Sequence, residues 1–510
     1  MADLAENIVP PARVLPEVRP WVWPWLSSYQ KRGIAWAVGR RNAHLWWACG
    51  AGKTVAAILW MLAEPGPVII VTRASARRQW ANEIRKFATV LPFVVLPSSS
   101  MRKGDSSLAA YLRVTVSRPV LILGWDSLRD DDLYEKLSSL DSPSIVWDES
   151  HVAKDHRRWN PRPLPNGGMA FDKRESVAAR AGFLAPKARR RLALTATPIP
   201  DRTRDLWAQL DIVEPSTVGK YWDWAKRYCG AQEGEYGWED KGTTRLAELR
   251  SSLALRTHVV RTEEVHQLLP PLRRITTFLA PEDLQRGDAE AGKAVRGAAK
   301  LAKGGTGTEG TEVAGSLLEA RLVQSAARKS RYVASHTQEL LQGGQKVLVF
   351  TGRRRDVADI HARIAKKLPP GTKLWAAHGE TPAEEREQIR DDYMAHDGAA
   401  CIVGTGAAWG ESVNLQDTDR LIIVLLPWTW GQIRQWEGRV RRLGQKRSVV
   451  IEYLVAEGTV DDRITGVVLE KLAAVEEILP DEQVIGVREA VQGGTDEDVI
   501  DGLLDRFMEE

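Results

Sequence analysis

Leu45-Trp46-Trp47-Ala48-Cys49-Gly50-Ala51-Gly52-Lys53-Thr54, leading into the helical run Val55–Leu62, is the stretch that decides the fold. A short apolar run, a glycine-bearing loop and a helix follow one another there. Glycines let backbone amides turn toward phosphate oxygens, and the helix N-terminus adds partial positive charge. Gly50, Ala51, Gly52, Lys53 and Thr54 are therefore read as a P-loop, with Lys53 reaching the outer phosphates and Thr54 able to ligate magnesium. Only the second half of the pattern GxxxxGK[ST] is met, because Trp47 stands where the first glycine is expected.

Ninety-odd residues on, Ile145-Val146-Trp147 runs into Asp148-Glu149-Ser150-His151. A strand ending in paired carboxylates places them at the carboxyl edge of a parallel sheet, beside a P-loop. There Asp148 can hold magnesium, directly or through water, while Glu149 polarises a water for in-line attack on a terminal phosphate. An Asp-Glu at a strand end is commonplace, and it is the upstream P-loop that gives this pair a catalytic expectation.

Further outward, strand-sized apolar runs recur at Val68–Val71, Val120–Leu123, Ser144–Trp147, Leu192–Leu194, Val347–Phe350, Ala400–Val403 and Leu421–Leu425, separated by amphipathic segments of helix length. This alternation predicts an α/β fold with parallel sheets. Trp80, Ile84 and Phe87 repeat at helical spacing, as do Val357, Ile360, Ile364 and Leu368, and both sets are read as core faces of helices. The strands fall into two groups, so two lobes are expected, at 21–213 and 336–475. A mostly helical insertion at 214–335 separates them, with a tail at 1–20 and a helical extension at 476–510. Gly304–Gly315, rich in Gly and Thr, is read as a mobile loop or a structured turn.

At 510 residues the chain exceeds what one hydrophobic core usually organises. Apolar residues at 43% and charged residues at 27% exclude wholesale disorder. Lys plus Arg outnumber Asp plus Glu by 71 to 67, and a net charge of +4 neither supports nor refutes a polyanionic partner. Basic residues do cluster, at Lys187, Arg189, Arg190 and Arg191, at Arg353–Arg355, and at Arg439, Arg441, Arg442, Lys446 and Arg447. Each cluster is either a solvated face or part of a nucleic-acid track. Cys49, Cys229 and Cys401 form no CxxC pair, which argues against a disulfide framework or zinc finger and fits a reducing cytoplasm. MADLAENIVPP lacks the basic start and apolar run of a secretory leader, and no apolar stretch approaches spanning length, so no membrane association is expected.

Taken in order, these motifs resemble those of the superfamily-two helicases, and within them the Swi/Snf-type DNA translocases. Tyr29-Gln30-Lys31-Arg32-Gly33 resembles the family's adenine-reading glutamine motif. Asp148–His151 resembles its DEAH box, with Ser150 in place of alanine and Lys154 following, and Leu194-Thr195-Ala196-Thr197-Pro198 resembles its coupling motif LTGTP. Val68–Phe87, with Trp80 and Glu83, is similar to the strand and helix around the first DNA-contacting motif, which implies that Thr72 and Arg73 face a phosphate. Arg261–Val265 followed by Leu269-Pro270-Pro271 resembles the stretch that closes the Swi/Snf-type insertion region. Gly404-Thr405-Gly406, with Gly410 through Leu415, resembles the motif linking DNA contact to ATP closure, at a longer spacing. Trp428–Gln432 with Glu437 look like the fork-remodelling, annealing-helicase branch.

Gln435-Trp436-Glu437-Gly438-Arg439-Val440-Arg441-Arg442-Leu443-Gly444-Gln445 is similar to the family's QAxxRxxRxGQ. On a helix, Gln435, Arg439 and Arg442 fall at i, i+4 and i+7, so one face would present an amide and two guanidiniums. Arg439 and Arg442 are then candidate arginine fingers. A basic helix lying on DNA is the alternative, and it would need Arg441 to matter equally.

The resemblance implies two RecA-like lobes with ATP and Mg2+ as cofactors. It assigns catalysis to Lys53, Asp148, Glu149, Arg439 and Arg442, nucleotide contacts to Gln30, Gln435 and the P-loop, and metal contacts to Thr54 and Asp148. Thr72, Arg73, Thr195, Thr197 and Thr405 would serve DNA contact and coupling. It implies a monomeric motor on double-stranded or forked DNA, in the cytoplasm of a bacterium or of a phage host. Two other classes stay open: a strand-separating helicase or motor of a restriction or defence system, and an ATP-binding scaffold that does not turn over. The basic, aromatic and Pro-rich His156–Lys173 lengthens the connection between two motifs and is read either as a loop touching DNA or as a tolerated insertion.

Overall fold

A computed structural model describes residues 18–89, 91–96, 119–154, 162–163, 169–170, 177–215, 217–234, 237–240, 242–266, 270–280, 284, 308–409, 415–441, 445–478 and 487–488. The chain divides into two units, residues 1–267 with 477–479, and residues 268–476 with 480–510.

In the first unit seven strands form one parallel sheet. Their order is Thr257–Val260, Asn42–Trp47, Arg190–Thr195, Ser144–Asp148, Val68–Thr72, Val120–Gly124, Phe93–Val95. Parallel neighbours need crossovers, which helices Lys53–Leu62, Arg77–Phe87, Asp131–Ser138 and Val177–Leu184 supply. Helices cover both faces, so Val68–Thr72 and Val120–Gly124 are buried at every position and read as unbroken apolar runs. Helix Arg77–Phe87 buries Trp80, Ile84 and Phe87, the stripe its spacing predicts. Burying each such side chain contributes roughly 1.5–3 kcal/mol. Because the strands are parallel, the carboxyl ends of Asn42–Trp47, Arg190–Thr195, Ser144–Asp148 and Val68–Thr72 meet along one edge. The P-loop, Thr195, Asp148 and Thr72 all sit on that edge.

The second unit has a six-stranded parallel sheet in the order Leu272–Leu279, Val449–Ala456, Arg420–Ile423, Lys346–Thr351, Ala400–Thr405, Lys373–Ala377. Helices Thr308–Gln342 and Arg354–Ala365 pack against it, putting Val333, Leu341, Val357, Ile360 and Ile364 in one core with the strands. Leu368 packs against that core from beyond the end of its helix. No helix among the described residues is long and apolar enough to cross a membrane. The cysteines form no disulfide, and no cluster of metal-ligating side chains occurs among the described residues.

Several expectations change. Residues 214–335 are not a separate helical insertion: Thr257–Val260 is an edge strand of the first sheet and Leu272–Leu279 an edge strand of the second. An edge strand pairs on one side only and keeps partial exposure, so LRRITTFL lacks the continuous apolar signal of a central strand. Helices Tyr221–Tyr228 and Leu246–Ala254, with the hairpin Gln232–Gly234/Gly237–Glu239, belong to the first unit. The loop expected at Gly304–Gly315 gives way to helix from Thr308 onward, and residues 304–307 lie outside the described residues. Arg190 and Arg191, counted above in a basic cluster, belong to the core. The Arg190 guanidinium lies 4.2 Å over the Trp60 ring, and Arg191 Nη1 donates to Asn42 Oδ1 at 3.1 Å. Of the tail, Val18 is buried and bridges to Ala88, while residues 1–17 lie outside the described residues, as does most of 476–510 beyond helix Val460–Ile478. Of His156–Lys173 only the paired strands Arg162–Pro163 and Met169–Ala170 are described.

Candidate active site

Gly50 and Gly52 take φ of +77° and +87°, a region that penalises any residue with a Cβ. A Cβ at Gly52 would also come within 2.2 Å of Gln30 Nε2. Gly52 is the N-cap of the ten-residue helix Lys53–Leu62, so the first-turn amides of that helix open toward the loop, with Thr54 among them. Trp47 needs no such backbone. It ends its strand fully buried, filling the space left by Gly33, where a Cβ would lie 2.2 Å from Trp47 Cζ2. Its Nε1 donates to His258 Nδ1 at 3.1 Å. The departure from the full P-loop pattern is thus absorbed by packing beneath the loop.

Lys53 Nζ donates to the carbonyls of Trp47 at 2.9 Å and Ala48 at 3.2 Å, which holds the ammonium over the loop. Gln30 is buried with both ends of its amide engaged. Oε1 accepts from the Ser27 N–H at 2.9 Å, closing the capping box of helix Ser28–Val38, and Nε2 donates to the Ala51 carbonyl at 3.0 Å. In this structure Gln30 braces the P-loop, and reading adenine would require it to exchange one of those bonds.

Asp148 Oδ2 accepts from Thr72 Oγ1 at 2.6 Å and from Trp80 Nε1 at 2.8 Å, while its backbone carbonyl accepts from Trp125 Nε1 at 2.8 Å. Burial, and then the neighbouring Glu149, push its pKa up to about 6, against the pull of the two donors and Lys53. Thr72 is therefore no DNA-facing residue: it is fully buried with its hydroxyl turned to the carboxylate. Arg73 is half-buried, with Nη2 3.3 Å from His151 Nε2.

Glu149 adopts φ +50°, a strained choice for a residue with a side chain, and its Oε2 lies 3.3 Å from His151 Nδ1. The same nitrogen lies 3.0 Å from Thr195 Oγ1 and 3.3 Å from Thr197 Oγ1, and Thr195 Oγ1 accepts from the Thr197 N–H at 3.0 Å. Burial pushes His151 down to about 4, so the ring is neutral near pH 7. His151 thus stands between Glu149 and the pair Thr195 and Thr197, and it is a site residue to which the sequence alone assigns no role. Its position two residues after Glu149 was the available signal. Ser150 Oγ donates to Gln209 Oε1 at 3.2 Å and Gln209 Nε2 to the Pro198 carbonyl at 2.6 Å, so serine in place of alanine gains a buried partner.

In the second unit, helix Trp430–Val440 carries Gln435 and the buried Arg439, whose Nε donates to the Gln435 carbonyl at 3.1 Å. Arg441, at φ −104° and ψ 88°, leaves the helix, and Arg442 lies outside the described residues. Of the helical face expected for Gln435, Arg439 and Arg442, only the first two fall within the described residues. Glu437, fully buried, accepts from Arg274 Nε at 3.0 Å and Nη2 at 2.8 Å and from the Tyr453 hydroxyl, which fixes the helix to two strands. Thr405, expected at DNA or in coupling, is buried, and its Oγ1 accepts from the Ala408 N–H at 3.3 Å, so it caps Gly406–Trp409. A Cβ on Gly404 would lie 2.2 Å from Trp409 Nε1 and one on Gly406 1.9 Å from Trp436 Cζ2. Residues 410–414 lie outside the described residues.

Three family models match this chain in succession. Residues 24–200 match the res subunit of type III restriction enzymes, 167–328 the SNF2-related domain and 332–444 the helicase conserved C-terminal domain. The chain is similar over most of its length to the Swi/Snf-type superfamily-two helicases. The DNA annealing helicase and endonuclease ZRANB3 of Bos taurus is 27% identical to this chain over 465 residues, 88% of this chain and 40% of its own length. The SWI/SNF-related matrix-associated actin-dependent regulator of chromatin subfamily A-like protein 1 of Xenopus tropicalis is 28% identical over 454 residues, 88% of this chain and 44% of its own. The chain spans less than half the length of these curated relatives. A Sulfolobus solfataricus SWI2/SNF2 ATPase core solved in complex with dsDNA aligns over 97% of this chain and 98% of its own, at 19% identity and a TM-score of 0.41.

Proposed function

We propose that this Swi/Snf-type chain hydrolyses ATP with magnesium and converts the hydrolysis into movement along double-stranded DNA, remodelling or reannealing it. One observation carries the reading: Lys53, Asp148, Glu149, Thr195 and Thr197 gather at the carboxyl edge of one parallel sheet, with His151 standing between Glu149 and the two threonines. The relative named as a DNA annealing helicase supports the choice of DNA as track.

Bound magnesium would neutralise charge on the outer phosphates. The residues fit such an ion: two protein donors occupy Asp148 Oδ2, Oδ1 accepts no hydrogen bond among the described residues, and Thr54 stands in the first turn of the adjoining helix. Lys53 exchanges its bonds to the Trp47 and Ala48 carbonyls for phosphate oxygens. Glu149 orients and polarises the attacking water, and the neutral His151 passes its position on to Thr195 and Thr197. Arg439 and Arg442 supply guanidinium charge to the transition state. Arg73 contacts the DNA backbone, a kind of contact that carries little sequence information.

Lys53→Ala is expected to abolish DNA-stimulated ATP hydrolysis, and Glu149→Gln to lower it at least about a hundredfold while retaining ATP binding. Normal turnover in Glu149→Gln would remove its assigned role. The match of residues 24–200 to the res subunit of type III restriction enzymes favours one second reading, a strand-separating or restriction-type motor. Triplex displacement without fork unwinding supports the duplex translocase; efficient unwinding of a fork supports the second reading.

A further inference from the structure

The two donors to Asp148 Oδ2 bracket one short segment of chain. Thr72 closes the strand Val68–Thr72 and Trp80 lies one turn into helix Arg77–Phe87. Between them run Arg73 to Gln79, with Ala74, Ser75 and Arg78 exposed. This segment, which begins with the Arg73 assigned above to the DNA backbone, is therefore tied at both ends to the carboxylate assigned to magnesium.

The two ties differ in freedom. Thr72 ends a strand paired on both sides, with Val120–Gly124 and Ser144–Asp148, and its hydroxyl moves only if the sheet moves. Trp80 rides on a helix whose N-terminal end adjoins the exposed segment, and its indole has only two side-chain torsions. At 1% exposure the ring has no alternative site, so a displacement of the helix start is delivered to Nε1. Hydrogen bonds weaken steeply when misaligned, so a small shift at Nε1 suffices to change the aim of the carboxylate. The partners that hold a metal ligand from behind typically change metal affinity roughly 10–100-fold when removed.

We propose that Trp80 is a positioning residue which, with Thr72, dedicates Asp148 Oδ2 to the protein and aims Oδ1 at magnesium, and that through it DNA bound at Arg73–Arg78 alters the magnesium site. The inference rests on the ATPase reading above. It is tested by the magnesium dependence of binding of a fluorescent, non-hydrolysed ATP analogue to the full chain, with and without duplex DNA. In the unaltered chain DNA shifts the half-saturating magnesium concentration. Trp80→Phe, which keeps a ring but loses the N–H, raises that concentration about tenfold and abolishes the shift by DNA, with analogue binding in EDTA unaltered. Thr72→Val raises it while keeping the shift, and Thr72→Ser restores the unaltered value.

A Trp80→Phe midpoint equal to that of the unaltered chain, or a shift that survives in it, overturns the proposal. If melting shows that Trp80→Phe does not fold, the Thr72→Val and Thr72→Ser pair decides: equal midpoints for the two, or no DNA shift in the unaltered chain, overturn it. Loss of all magnesium-dependent binding in the unaltered chain brings down the ATPase reading itself. Binding that is present but indifferent to these substitutions brings down only this inference.

Discussion

His44 sits in the interior of strand Asn42–Trp47, fully buried, with neither ring nitrogen hydrogen-bonded among the described residues. Burial, with Arg256 adding to it, pushes its pKa down to about 3. A base held below its ordinary 6.5 stays neutral in the fold and takes up a proton on unfolding. Its contribution is therefore present above pH 6.5 and is lost as the pH falls toward 3, by about 2 kcal/mol between pH 7 and pH 5. His151 and His258, both pushed down to about 4 by burial, act in the same sense. Asp148 and Asp205, raised to about 6 by burial, act in the opposite sense, because acid relieves their buried charge. His44→Val is expected to melt no lower than the unaltered chain at pH 7 and to lose less melting temperature between pH 7 and pH 5, read by circular dichroism; a larger acid loss would refute the account. For Arg442→Ala, steady-state kinetics should show hydrolysis slowed roughly a thousandfold with melting unchanged. Comparable loss in Arg441→Ala would favour a basic track on DNA over an arginine finger.

Among the elements, helix Thr308–Gln342 is fastened to its sheet by a buried charge. Lys329 Nζ, wholly buried, donates to Asp461 Oδ2 at 2.6 Å, to the Leu454 carbonyl at 3.1 Å and to the Val424 carbonyl, and Ser325 Oγ donates to Asp461 Oδ1 at 2.8 Å. Removing one partner leaves an uncompensated buried ammonium, so Asp461→Ala should cost about 3–5 kcal/mol in urea unfolding. Gly406→Ala should cost about 1–3 kcal/mol in the same measurement, since its Cβ meets the buried Trp436 ring rather than a flexible chain end. Most central strands were legible from sequence because both their faces are covered, with Val449–Ala456 the central strand that was missed. Thr257–Val260 and Lys373–Ala377 were not, because an edge strand with exposed positions lacks that signature. Val449–Ala456 carries Glu452 inside an apolar run, and only the tertiary partners Arg420, His336 and Thr277 explain a buried carboxylate there.

At the scale of the whole molecule, each unit closes its own sheet and core, with the division at Gln267 and Leu268. Separate cores license separate cooperative transitions. Calorimetry should therefore show Asp461→Ala and Gly406→Ala lowering one transition while leaving the other in place, and His44→Val acting on the other. A single transition moved equally by all three would show that the units unfold as one. The affinity for duplex DNA should fall steeply with salt, as phosphate contacts require, and a salt-independent affinity would argue against the backbone-tracking mode.

By itself the sequence determined the parallel α/β architecture, the P-loop and the Asp148–Glu149 pair, because these depend on local periodicity and on residue types at short spacing. Tertiary structure alone decided that Thr72 and Trp80 serve Asp148, that Gln30 braces Ala51, that Arg190 and Arg191 lie in the core, and that the stretch after residue 214 feeds strands into both sheets. Those facts rest on partners 21 to 213 positions away along the chain, and the direction of a donor or the pairing of an edge strand is set by what the fold brings alongside.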